Sequence, residues 1–230
     1  KICLLASTAF GVRIPFKDIA VEGISRITPE DLQYAAEMGY KVKLLAIARD
    51  LPSSVEIRVH PTMIPKDTIL ASVNGVYNGV LLRSEPLGAT FLYGRGAGGD
   101  PTGGAVLADV IQLARNLARG TTVVPFLRPD FPSKPIKPMA EVEMSYYLRF
   151  VAINQAGVLA KISAILAKHR ISIASVIQKE SRFLEPDMVP IVLMTYQARE
   201  RDVRMALTEI ERLDVIKGEP LLVRVEKQLN

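Results

Sequence analysis

Ten residues, Tyr93-Gly94-Arg95-Gly96-Ala97-Gly98-Gly99-Asp100-Pro101-Thr102, carry the densest chemical signal in the chain. Glycines let a backbone approach a ligand closely. A helix running from about Thr102 to Arg119 would aim unpaired amides and a positive dipole end at an anion. Gly94, Gly96 and Gly99 satisfy G-x-G-x-x-G, the spacing of a dinucleotide-binding turn, and TTVVPF after Gly120 could supply the second strand of a βαβ unit. A proline-rich stretch follows at once and leaves no room for a doubly wound sheet. No acidic residue about 20 positions on is suited to hold a ribose. The loop is read as a phosphate or cofactor contact, or else as a structural turn, outside a complete nucleotide-binding fold. Arg95 could neutralise a phosphate or simply be solvated. Asp100 suits a helix cap and opposes a bound anion.

Other chemistries find little support. His60 and His169 are isolated, so no Ser, His and Asp constellation can be argued; His60-Pro61 reads as a strand-end turn and His169 as a cation near a helix C-terminus. One cysteine, Cys3, and two histidines exclude an intramolecular disulfide and the usual zinc clusters, and no metal site is expected. The net charge of +5 is spread among acids, without the basic stripe and interleaved aromatics of a nucleic-acid binder.

These residues need a scaffold, and 230 residues at 49% hydrophobic and 23% charged suffice for two modest domains, excluding disordered and collagen-like classes. No apolar run approaches the roughly 18 residues of a membrane span, and the run after Lys1 is too short for a signal-peptide core, so a soluble, cytoplasmic protein is expected. The chain opens at Lys1 without an initiator Met, which suggests an upstream segment.

Five prolines between Pro125 and Pro138 mark a semi-rigid linker, dividing the chain into residues 1–124, a linker over 125–143, and a module over 144–230. In the first part, Thr28 caps a helix with Pro29 in its first position, Ile27 and Leu32 form a hydrophobic staple, and Gly39 ends the helix. Strand-like segments follow at Lys41 to Ala48, Ser54 to Val59, Thr68 to Ser72, Gly79 to Arg83 and Ala89 to Tyr93, suggesting an antiparallel sheet. The last module reads βαββαβ. Its strands lie at Tyr146 to Ile153, Ile171 to Gln178, Val189 to Tyr196 and Pro220 to Val225, and its helices carry Val158 to Leu166 and Val203 to Leu213. The expected class is α+β: a mixed or antiparallel sheet region, then a ferredoxin-like module with one sheet face and its edges open for pairing with another copy.

The run YGRGAGGDPTGGAVLADVIQLAR resembles a signature near the C-terminal end of the catalytic part of homoserine dehydrogenases. KICLLASTAFG, IAVEGISRITPEDLQYAAEMGYKVKLLAIA and HPTMIPKDTILASVNGVYNGVLL resemble earlier stretches of that family, and residues 144–226 resemble its ACT regulatory domain. The resemblance implies interconversion of L-homoserine and L-aspartate 4-semialdehyde with NAD(P)(H). It also implies a nucleotide-binding domain upstream of this chain, which alone would be inactive, and a homodimer or tetramer without nucleic-acid or membrane partners.

By the same resemblance, Lys1 handles the proton at the substrate oxygen, and Gly96, Ala97, Gly98 and Thr102 face the cofactor. The strands from about Ile57 to Tyr93 build the dimer sheet. Asn154, Ala156, Gly157, Val158 and Leu159 bind a small amino-acid effector, threonine, with helix-start amides for its carboxylate. The sequence departs from the family at Gly103-Gly104, which weaken the helix start by about 1 kcal/mol each. It departs again at Asn154 and Ala156, where Asp and Pro are usual; Asn154 lacks the charge for an ammonium and could be no more than a helix cap. The alternative function is a stand-alone amino-acid-binding regulator built on the ACT domain.

Overall fold

The computed structural model describes residues 1–121, 131–179, 185 and 187–227. The first part contains α1 (Ile2–Phe10), β1 (Ala20–Val21), α2 (Pro29–Glu37), β2 (Tyr40–Asp50), β3 (Val55–Pro65), β4 (Tyr77–Ser84), β5 (Gly88–Arg95) and α3 (Gly99–Ala118). The C-terminal part contains β6 (Glu143–Ile153), α4 (Val158–Lys168), β7 (Ile173–Gln178), β8 (Met188–Thr195), β9 (Ala198–Arg199), α5 (Glu200–Glu211) and β10 (Leu221–Val225).

Local chemistry sets the boundaries that matter. At α2, the Asp31 backbone donates to the Thr28 hydroxyl at 3.3 Å and the Thr28 backbone donates to the Asp31 carboxylate at 2.9 Å, a reciprocal cap with Pro29 in the first turn. Ile27 packs toward Tyr34 and Ala35, while Leu32, its expected staple partner, is half exposed. Gly39 takes φ +82° just past the helix, a conformation open to glycine.

The fold is α+β, and one sheet runs through both parts in the order β1-β3-β10-β6-β8-β7, with β2 also on β3. Strands β10, β6, β8 and β7 form the 4-1-3-2 order of a ferredoxin-like module. Its α4 and α5 bury Ile162, Leu166, Val203 and Ile210 against Tyr146, Leu148 and Phe150 of one sheet face. The other face is not open for a second copy, as the sequence suggested. Tyr34 and Ala35 of α2 cover it, packed with Tyr147, Val192, Met194 and Val223.

The two parts are further joined by parallel pairing of β10 with β3, at Arg224↔Thr62 and Val225↔Met63. Arg49 of β2 and Arg58 of β3 converge on Glu56 and on Glu226, just past β10, stitching three strands with buried charge.

Several expectations are corrected. Ile69–Ser72 is a 3-10 turn instead of a strand. The strands from Ile57 to Tyr93 do not share one sheet: β3 joins the main sheet, and β4 and β5 form a separate two-stranded hairpin. His60-Pro61 lies inside β3, not at a turn, because the parallel neighbours divide there: β1 pairs with Arg58 and Val59, and β10 with Thr62 and Met63. Proline lacks an amide hydrogen and is tolerated in that gap.

The linker reading falls partly on residues 122–130, and TTVVPF almost wholly on them, outside the described residues. Residues 132–137 are docked instead of spanning free: Arg13 and Val55 donate to the Pro132 and Pro135 carbonyls at 3.0 and 2.8 Å, and Lys137 donates to Val55 at 2.8 Å.

Candidate functional site

Lys1 is exposed and immediately precedes α1, whose Leu5 amide donates to the Lys1 carbonyl at 3.1 Å. The helix is anchored by Ala6 and Ser7; Ser7 Oγ accepts from the Ile14 amide at 3.3 Å, and Ala6 packs with Ile14, Ile19 and Ile57. A lysine here is held by its backbone while its ammonium stays accessible.

The glycine loop leaves β5 and enters α3 at Gly99, three residues earlier than expected. Gly98 is the N-cap with φ +122°, and Asp100 makes no capping bond. The Gly96 amide donates to Val76 at 3.0 Å, and a Cβ on Gly96 would overlap the Asn78 carboxamide, so this glycine seats the loop on the hairpin. Ala97, Gly98 and Thr102 are exposed, and the Thr102 amide donates to the Gly98 carbonyl at 3.2 Å. No side chain caps α3, so the Gly99 and Asp100 amides remain available to an anion, while Pro101 has no amide hydrogen to offer. Among the described residues strand β5 has only β4 beside it, antiparallel, so there the G-x-G-x-x-G spacing occurs without a dinucleotide-binding sheet. The donor set therefore fits one flank of a bound dinucleotide, not its whole cradle.

None of the residues of α3 is buried, and Val106, Leu107, Val110, Ile111, Leu113 and Leu117 are exposed along it.

A concavity of about 290 Å³ opens where β6 turns into α4. Asn154, Ala156, Gly157, Val158 and Leu159 all line it, joined by Ile153, Gln155, Gln178, Val189 and Ile191. Gly157 is the N-cap of α4 with φ +88° and no side chain caps the helix, so Asn154 does not serve as its cap. The Asn154 backbone donates to Asp187 at 2.7 Å, fixing the turn. Among the described residues its lining side chains are aliphatic or carboxamide, and none is titratable. Sequence reading missed Gln178, Val189 and Ile191 because they come from β7 and β8; the 4-1-3-2 strand order puts β8 beside β6 and β7 beside β8.

Among the described residues there is no group of three or more His, Cys, Asp or Glu that could hold a metal, and no helix is long and apolar enough to cross a membrane.

Comparison with known proteins identifies both parts. Residues 1–111 match the homoserine dehydrogenase family profile and residues 146–214 match that of the ACT domain. A homoserine dehydrogenase from Pseudomonas aeruginosa is 41% identical over 235 residues, covering 100% of this chain and 54% of the relative. The chain belongs to the homoserine dehydrogenase family. Another member, from Helicobacter pylori, is 38% identical over 98% of this chain and 52% of its own length. The crystal structure of a homoserine dehydrogenase from Thiobacillus denitrificans superposes with a TM-score of 0.87 at 41% identity, covering 99% of this chain and 52% of that one. The chain thus spans about half the length of the homoserine dehydrogenases it matches, and its 4-1-3-2 module is an ACT domain.

Proposed function

We propose that this chain is the substrate-handling and regulatory half of a homoserine dehydrogenase that interconverts L-homoserine and L-aspartate 4-semialdehyde with NAD(P)(H). The observation that carries this reading is the match over 99% of the chain, with a TM-score of 0.87, to a solved homoserine dehydrogenase. A stand-alone regulator would give no role to the uncapped helix start and exposed apolar length of α3. We take residues 1–124 as the catalytic region, 125–143 as a connection and 144–230 as the ACT domain.

In the oxidation direction, Lys1 Nζ takes the proton from the substrate hydroxyl as the carbon bearing it gives up hydride; in reduction the ammonium returns that proton to the carbonyl oxygen. Bound NAD(P)+ supplies the hydride acceptor. Ala97, Gly98 and Thr102 line the side of the turn that would face it, with the α3 amides directed at negative charge, while Gly96 keeps the turn seated against Asn78. The apolar length of α3 suits a covering domain, and the resemblance assigns that cover to the nucleotide-binding half of the enzyme.

The ACT pocket is proposed to take a small amino acid, threonine by family resemblance. Uncapped α4 amides suit its carboxylate, the Asn154 and Gln178 carboxamide oxygens its ammonium, and Val189 and Ile191 its side chain. The assembly is proposed to be a homodimer or tetramer. The test is reconstitution: the chain joined to its upstream half should reduce NAD+ or NADP+ only when L-homoserine is present, and failure with both nucleotides would remove this reading.

A further inference from the structure

The segment from Glu22 to Asp31, between β1 and the first turn of α2, has four charged side chains, and three of them are bound to the ACT domain. Glu22 accepts from both terminal nitrogens of Arg224 at 2.8 Å and from Arg204 at 2.5 Å. Arg26 donates to the Pro220 carbonyl at 3.1 Å and pairs with Glu219 at 2.8 Å. Asp31, fully buried, accepts from the Tyr147 hydroxyl at 2.8 Å and from Arg149 Nε at 2.6 Å. These grips fall on β10, the turn before it, α5 and β6.

The ends of this segment lead in two functional directions. Arg149 lies on β6, which runs directly into the Asn154 turn, and β6 pairs with the pocket-lining part of β8 at Phe150↔Ile191 and Ala152↔Val189. At the other end, β1 pairs in parallel with β3, and Ile19 beside it packs in one cluster with Ala6 of α1, the helix that follows Lys1. Hydrogen bonds between buried or half-buried charges are steep in distance and angle, so a shift of β6 or β10 cannot leave the segment's ends unmoved without breaking them.

We propose that Glu22–Asp31 is a coupling strap through which occupancy of the Asn154–Leu159 pocket resets α1 and the Lys1 at its head. The proposal rests on the reading of that pocket as an effector site. It assigns a regulatory role to acids and arginines that have none in the chemistry proposed above. Allostery by this route needs differential contact in two states, and the strap supplies contacts that can be made or broken as a set.

The test uses the whole enzyme, this chain with its upstream half, and two substitutions at exposed positions that remove no core packing, Arg26→Ala and Glu219→Ala. L-threonine binding is followed by calorimetry, its inhibition of homoserine oxidation by initial rates, and backbone mobility by hydrogen exchange. In the unaltered enzyme threonine should change exchange in residues 22–31 and in α1. In each variant the affinity should stay within about threefold while the inhibiting concentration rises by about tenfold or more. Inhibition unchanged in both variants, or no exchange response of the strap to bound threonine, would overturn the coupling. If the unaltered enzyme binds no threonine, the effector reading fails by itself. Gly157→Val, strained at φ +88°, then perturbs the pocket without ligand: altered exchange across 22–31 supports the strap and unaltered exchange overturns it.

Discussion

His60 is 2% exposed in β3, and its hydrogen bonds define its protonation. Arg58 Nε donates to Nε2 at 3.0 Å, so Nδ1 carries the hydrogen and faces the Pro61 carbonyl and the Thr62 hydroxyl, each at 3.0 Å. Burial, then the charge of Arg224, push its pKa down to about 3, against the hydrogen bond to the Pro61 carbonyl, with Arg58 lowering it further and Glu22 opposing least. A folded pKa below the unfolded one means the unfolded chain binds more protons, so stability is lost as pH falls from 6.5 toward 3. The slope is at most about 1.4 kcal/mol per pH unit. Denaturant melts should show it, and His60→Gln should flatten it; equal slopes in both proteins would contradict the assignment.

Glu22 acts in a lower window. Hydrogen bonds from Arg224 bring its pKa down to about 2, so its contribution is present above pH 4.5 and disappears as pH falls toward 2. Asp31 is buried, which alone would raise its pKa, but hydrogen bonds from Arg149 and Thr28 outweigh burial and lower it. Asp31→Ala removes the carboxylate half of the reciprocal α2 cap and leaves Arg149 and Tyr147 without their partner. It should cost about 3–5 kcal/mol in chemical denaturation; a loss under about 1 kcal/mol would show these contacts to be marginal.

At the scale of elements, the seating of the glycine loop on the hairpin has a specific test. Gly96→Ala should destabilise the loop by about 1–3 kcal/mol by pushing against Asn78, and Asn78→Ala combined with it should recover much of that loss. Additive losses would show that the two residues do not meet. The elements of the ACT domain were legible because Val158, Ile162, Ile165 and Leu166 repeat at helical spacing, with strand-like runs on either side. The α2 cap was legible for the same local reason. Thr68 to Ser72 misled because three β-compatible residues sit in a turn closed by Thr68, whose hydroxyl donates to the Pro65 carbonyl at 2.8 Å. His60-Pro61 misled because a central proline is acceptable only where neighbouring strands divide, a tertiary fact. The pocket residues on the Asn154 turn were readable as contiguous sequence, whereas Gln178, Val189 and Ile191 depended on strand order.

For the whole molecule, the N-terminal part and the ACT domain share a sheet and a core. The sequence suggested an ACT domain set apart by a proline linker, with one sheet face open; nothing local reveals that α2, more than a hundred residues upstream, covers that face. Residues 144–230 expressed alone would expose Tyr147, Val192, Met194 and Val223 and lose the β3 neighbour of β10. That fragment should aggregate or self-associate in size-exclusion chromatography, whereas a stable, monodisperse monomer would show that α2 is dispensable.

The measurement that bears most directly on function is the rate of L-homoserine-dependent NAD(P)+ reduction by the whole enzyme, compared between the unaltered protein and Lys1→Ala. The substitution should lower kcat by about 10²–10⁴-fold while threonine affinity at the ACT pocket is unchanged, because an exposed lysine at the head of α1 supports neither fold nor pocket. Homoserine oxidation at an undiminished rate in Lys1→Ala, or no homoserine-dependent reduction in the unaltered enzyme, would contradict the proposed role of this half of the protein.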